Sequence, residues 1–183
     1  MPAEARLREL GLELPPPPRP MGSYVPAVRT GNLLFLSGHG PLADGRPAMT
    51  GRVGAELSLE DGQRAARLTG LNLLATARAT LGSLDRVRRV VKVFGLVSSA
   101  ETFIDHPKVV NGCSDLMVQV FGDAGLHARS AVGVGSLPFG IPVEIEMVLE
   151  VVGSRAAASG GTKSATAAAS RRPSSRNARR RRR

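Results

Sequence analysis

Arg129 and Glu144 are the residues in this chain whose types and setting could do chemistry together. Arg129 stands in the run Ala128-Arg129-Ser130-Ala131-Val132-Gly133-Val134, and Glu144, Glu146 and Glu150 recur among the apolar residues of Val143 to Val152. A guanidinium can hold a planar carboxylate through two parallel hydrogen bonds. A carboxylate can orient or deprotonate a water molecule. On residue type alone the two could bind an anion and act on water. Simpler readings stand beside that one: Arg129 as an ion-pair partner of Glu144 or Glu146 across a sheet, and the glutamates as solvent-facing residues. The single cysteine, Cys113, allows no internal disulfide and no cysteine cluster for zinc, and a buried packing role suits it.

Both runs read as strands, and side chains alternate between the faces of a strand. Val143, Ile145, Met147, Leu149 and Val151 share one face, with Glu144, Glu146, Val148 and Glu150 on the other. Arg129, Ala131, Gly133 and Gly135 likewise share a face, opposite Ser130, Val132 and Val134. Two helices can cover only one side of a small sheet. The expectation is that the other side carries Arg129 and its glycines beside the glutamates of a neighbouring strand, and meets water, a ligand or another subunit.

The elements that must position these residues follow from the rest of the chain. Asn32 to Leu36 is a short apolar run and predicts a strand, and the Gly/Pro-rich stretch from Pro41 to Gly54 predicts a hairpin or loop. Ser58 with Asp61 three residues later has the form of a capping box. Leu59, Ala66, Leu73, Ala77 and Leu81 then make one helical stripe. Val87 to Val97 is rich in β-branched residues and predicts a strand. Pro107 fits a first helical turn, Val110, Met117 and Phe121 mark a second helix, and Gly122 ends it. Ala128 to Leu137 and Val143 to Val152 complete an α/β pattern of one domain over residues 21 to 152. Residues 1 to 20 hold a short amphipathic stretch, Ala3 to Leu14, that runs into four consecutive prolines and reads as an arm.

Residues 153 to 183 are mostly Ala, Ser, Gly and Arg with no large apolar side chain, a composition expected to be disordered. Ten of the 25 basic residues and none of the 15 acidic ones lie there, so the remainder of the chain is neutral. The net charge of +10 belongs to this tail, which implies at most weak polyanion contact through it and no basic domain surface for nucleic acid. No apolar run approaches a membrane helix in length and no secretory signal opens the chain, so a soluble cytoplasmic protein is expected.

The run His127-Ala128-Arg129-Ser130-Ala131-Val132-Gly133-Val134, then Leu137-Pro138 and Val143-Glu144-Ile145-Glu146, resembles the C-terminal hallmark of the Rid/YjgF family. Gly22-Ser23-Tyr24-Val25 and Gly31-Asn32-Leu33-Leu34-Phe35-Leu36-Ser37-Gly38 resemble its N-terminal half. The resemblance implies a chorismate-mutase-like fold, a mixed sheet with two helices on one face, packed as a homotrimer with clefts between subunits. It implies hydrolysis of reactive 2-imino acids and their enamine tautomers to 2-keto acids and ammonia, with no cofactor or metal. By the same resemblance Arg129 grips the substrate carboxylate, Glu144 positions the attacking water, Tyr24 lines the cleft and the backbone of Gly38 touches the substrate. Asn111, near the start of the second helix, either caps it or faces the cleft. The chain departs from the family in having His127 where a proline is frequent, Ala131 where a cysteine is common and His39 where a glutamine is frequent. Two further functions fit the same residues: a binder or sensor of small carboxylates without turnover, and an endoribonuclease with His39 and His127 as acid and base.

Overall fold

The computed structural model describes residues 1–153, so the expectation of a disordered Arg-rich tail falls outside the described residues. The capping box forms as its residues predict: Asp61 N donates to Ser58 Oγ at 3.1 Å and Ser58 N donates to Asp61 Oδ2 at 3.0 Å. It opens helix α2, Leu59–Leu81, which ends at Gly82 in the left-handed region with φ 83°. Helix α3, His106–Phe121, carries Pro107 in its first turn and stops at Gly122 with φ 60°.

These helices cover one face of a five-stranded mixed sheet. Its strands are β1 (Ala27–Thr30), β2 (Leu33–His39), β5 (Val87–Ser98), β6 (Ala128–Val134) and β7 (Val143–Val151), in the order β1-β2-β7-β5-β6. The Gly/Pro-rich segment forms a separate small hairpin from β3 (Leu42–Ala43) and β4 (Arg46–Pro47). All neighbours in the large sheet are antiparallel except β5 and β6. Parallel strands need a crossover, and α3 supplies it. The core is aliphatic. Val90, Val93 and Val97 of β5 and Ile145, Met147 and Leu149 of β7 are buried with Leu73 and Ala77 of α2 and Val110 and Met117 of α3.

A third helix, α1 (Ala3–Glu9), adds to the two expected on the covered face. The sequence sets residues 1 to 20 apart as an arm, yet Ala3 and Leu7 are buried in the same core as the sheet. Glu4 anchors the first turn of this helix through both its backbone and its side chain: its amide donates to Asp85 Oδ1 and its carboxylate accepts from Leu84 N, each at 3.0 Å. Arg6 Nε donates to the Gln119 carbonyl near the end of α3.

Two features of the packing give direct tests. A Cβ built on Gly112 of α3 would fall on the Gln63 carbonyl of α2, so the helices meet backbone to backbone there. The Gly112→Ala variant must push the helices apart. A loss of about 1–3 kcal/mol in urea unfolding is expected, with no gain from the better helix former. His39 is buried, with its ring between the Ser37 carbonyl, 2.7 Å from Nδ1, and Thr76 Oγ1, 2.8 Å from Nε2. Burial lowers its pKa below the ordinary value of 6.5. The unfolded chain therefore takes up this proton first as pH falls. Stability from His39 is complete above that ordinary value and is lost progressively toward the lower folded one. Urea midpoints measured from pH 8 to pH 5 should fall more steeply in the wild type than in His39→Gln. Parallel curves would count against this role.

Candidate functional site

The loop before β1, the end of β2 and the start of β7 enclose a cleft of about 530 Å³. Tyr24, Gly38 and Glu144 all line it, so three of the residues expected at the site do come together. Their assembly follows from the pairing of β2 with β7, which sets His39 opposite Ile145 and brings Gly38 against Glu144. A Cβ on Gly38 would fall on Glu144 Oε1. The glycine is thus what lets the carboxylate lie against the β2 backbone. Glu144 is half-buried, and desolvation raises its carboxyl above the usual carboxylate range, with the nearby charge of Glu146 adding to the shift. A raised carboxyl is a stronger base toward water. Tyr24 is half-exposed, and its hydroxyl accepts from Met21 N at 3.4 Å.

Several walls of the cleft carry no signal of chemistry in the sequence. Pro18, Arg19 and Met21 of the proline-rich segment line it, so this segment is part of the site's surroundings. Phe139 forms part of the rim with φ 58°. Such a conformation is uncommon for a residue with a side chain. The Pro138-Phe139-Gly140 sequence that separates the last two strands gives its only trace.

Arg129 lies elsewhere, which corrects the expected arrangement. The sequence reading placed it on the uncovered face with Glu144 and Glu146 on the adjoining strand. In the structure β5 runs between β6 and β7. Val93 of β5, fully buried in the core, is the register partner of both Arg129 and Met147, whereas Leu96 pairs with both Val132 and Glu144. Arg129 therefore points to the helix side, and Glu144 to the open side. The cause is the register of β6 on β5, which sets Arg129 beside the buried Val93, while the α3 crossover makes β6 parallel to β5 and leaves it unpaired with β7.

On the helix side Arg129 meets α3. Its Nη1 donates to Asn111 Oδ1 at 2.8 Å and to Ser114 Oγ at 3.0 Å. Asn111 is thus a partner of the arginine, and not a helix cap. Ser114 was missed by sequence reasoning, although its place three residues after Asn111 puts both on one side of α3. Ser114 Oγ in turn lies 3.0 Å from His127 Nε2, and His127 Nδ1 lies 2.6 Å from the Gly125 carbonyl. Arg129 makes no ion pair with a carboxylate among the described residues, so the structural ion-pair reading does not hold within one chain. Cys113 is fully buried and its thiol is pushed up to about 12 by desolvation, which leaves it in a packing role.

The two histidines of the endoribonuclease reading do not form a pair in one chain. His39 sits on β2 and His127 just ahead of β6, with β7 and β5 between those strands. Both ring nitrogens of His39 are engaged inside the fold. No helix among the described residues is long and apolar enough to cross a membrane.

Comparison with known proteins agrees with this architecture. Residues 4–145 match the family described as "YjgF/chorismate_mutase-like, putative endoribonuclease". Protein TCP17 of Trypanosoma cruzi is 45% identical over 80% of this chain and 92% of its own. The crystal structure of Atu1372 from Agrobacterium tumefaciens is 44% identical, covers 82% of this chain and 92% of its own, and superposes with a TM-score of 0.75. A protein named 2-iminobutanoate/2-iminopropanoate deaminase from Dermatophagoides farinae is 29% identical over 76% of this chain and 94% of its own. A family match that runs from the first turn of α1 through α2, α3 and β6 to the first residues of β7 leaves one conclusion: this chain belongs to the Rid/YjgF family, with its chorismate-mutase-like fold.

Proposed function

We propose that this protein hydrolyses reactive 2-imino acids to 2-keto acids and ammonia, in clefts completed by Arg129 of a second copy of the chain. The observation that carries this reading is the split of the site. Tyr24, Gly38 and Glu144 surround a cleft whose one lining cation is the exposed Arg19 of the proline-rich segment, while Arg129, fixed by neutral side chains, stands on the opposite side of the sheet without an anionic partner among the described residues. The cleft thus has the carboxylate and the far side the fixed guanidinium. A ring of identical subunits joined head to tail would bring them together, and the expected homotrimer closes such a ring. The uncovered sheet face also favours contact between copies: Val28, Phe35 and Val132 are all more than 40% exposed there.

In this mechanism the guanidinium of Arg129 holds the substrate carboxylate in two-point contact. Glu144 accepts a proton from water as the water adds to the imine carbon, and the proton reaches the nitrogen. Collapse of the resulting carbinolamine expels ammonia and leaves the 2-keto acid. The raised carboxyl of Glu144 suits it to that proton transfer. The deaminase name of the relative from Dermatophagoides farinae supports the same chemistry.

Truncating one partner of a hydrogen-bonded charge pair costs roughly 2 to 5 kcal/mol. Arg129→Ala should therefore lower hydrolysis of 2-iminobutanoate, generated in the assay by an amino-acid dehydratase, about thirtyfold or more. Arg129→Lys should recover only part of it, because the fork is lost. Glu144→Gln should reduce turnover more than affinity. Equal rates of imine loss and ammonia release in folded wild type and Arg129→Ala would overturn the deaminase reading. Binding of 2-keto acids without ammonia release by the wild type would point to a sensor instead. Light scattering at micromolar concentration should give a trimer mass, and a monomer would exclude a shared site.

A further inference from the structure

The hydrogen bonds around Arg129 have a direction, and they decide which edge of the guanidinium is left for a ligand. Nη1 carries two hydrogens, and the protein uses both, one on Asn111 Oδ1 and one on Ser114 Oγ. Among the described residues Nε and Nη2 of Arg129 donate to no one. The end of the fork shared by Nη1 and Nη2 is thereby closed, and the side edge formed by Nε and Nη2 is open.

Ser114 and His127 extend this arrangement. A backbone carbonyl can only accept, so the 2.6 Å contact between His127 Nδ1 and the Gly125 carbonyl puts a proton on Nδ1. In the neutral ring Nε2 is then an acceptor. Burial disfavours the charged imidazolium here, and the Arg129 charge adds to that effect. The Ser114 hydroxyl consequently donates to His127 Nε2, which leaves its lone pairs to Arg129. The donors run one way, from Arg129 to Ser114 to His127 to Gly125, an order in which each bond polarises the next. The far end is fixed as well. A Cβ on Gly125 would fall on the Met117 carbonyl, so the acceptor is held against the backbone of α3, the helix that carries Asn111 and Ser114.

We propose that Ser114 and His127 are positioning residues for Arg129, which with Asn111 clamp Nη1 and present the Nε/Nη2 edge as a two-point anchor for a planar carboxylate. His127 acts only through Ser114. This rests on the reading of Arg129 as the substrate anchor for its use in function, but the clamp itself is measurable without substrate.

The test combines two readouts on the full chain. In ¹⁵N-arginine-labelled protein the Arg129 guanidinium signals, assigned by their loss in Arg129→Lys, should show separate Nη resonances because rotation about Nε–Cζ is hindered. In Ser114→Ala and His127→Ala they should merge. His127→Gln, whose amide oxygen can accept from Ser114, should restore the separation and guards against a variant that fails to fold. In imine hydrolysis Ser114→Ala and His127→Ala should each raise KM about tenfold, as expected for one such hydrogen bond to a charged group, with kcat changed less than threefold. The double variant should be no worse than Ser114→Ala alone, because the path runs through that hydroxyl. Arg129 signals that stay separate in both folded single variants would overturn the proposal, as would additive KM effects. Merged signals with an unchanged KM would uphold the clamp and remove Arg129 from substrate binding, so failure of the clamp and failure of the anchor are distinguishable.

Discussion

The parallel pairing of β6 with β5 is the constraint on which the candidate site depends. A parallel neighbour cannot be reached by a tight turn, so the chain crosses the sheet through α3 before β6 is laid down. That crossover delivers Asn111 and Ser114 beside Arg129 and, by the same step, puts β5 between Arg129 and Glu144. The long β5 strand serves both neighbours: Val93 and Val97 are fully buried beneath the helices, while Phe94 and Leu96 share the open side with Glu146 and Glu144. One strand in this position separates the cationic part of the site from the acidic part in every copy of the chain.

Electrostatics gives that separation its meaning. Within a chain the cleft collects Glu144 and Glu146, whose mutual repulsion and partial burial both disfavour ionisation of Glu144. Arg129 is held by an amide oxygen and a hydroxyl, neutral groups that fix its geometry without neutralising its charge. A guanidinium oriented by neutral partners keeps its charge for an anion that arrives later, whereas one paired with a carboxylate would have to give that partner up. Close approach at two glycines maintains the arrangement: Gly38 admits Glu144 to the β2 backbone, and Gly112 admits α3 to α2.

Much of the fold was legible along the chain because local physics fixed it. The Ser58–Asp61 capping box, the stripe through Ala66, Leu73, Ala77 and Leu81, Pro107 in a first turn and Gly122 as a stop all depend on residues within one or two turns of one another. The alternation from Val143 to Val151 likewise predicts which side of β7 is buried. The short α1 was visible only as an amphipathic stretch. Its docking rests on Glu4 meeting Leu84 and Asp85, some eighty positions away, and no local pattern contains that contact.

The site divides along the same line. By itself the sequence determined the residue types and their motifs: an arginine in a strand of small residues, a glutamate at the head of the last strand, a tyrosine and a glycine near the start, and the family they mark. It also determined that Arg129 and Ala131 share one side of β6 and that Glu144 and Glu146 share one side of β7, because alternation is a property of a single strand. Only the tertiary structure decided how those sides face relative to each other. Strand order and register are set by the crossover through α3 and by the burial of Val93 and Met147, which are pairings between distant segments. A shift of one residue or one exchange of neighbours would reverse the outcome while leaving every local pattern intact. That is why Arg129 came to face Asn111, Ser114 and the helices, with Glu144 on the other side of the sheet.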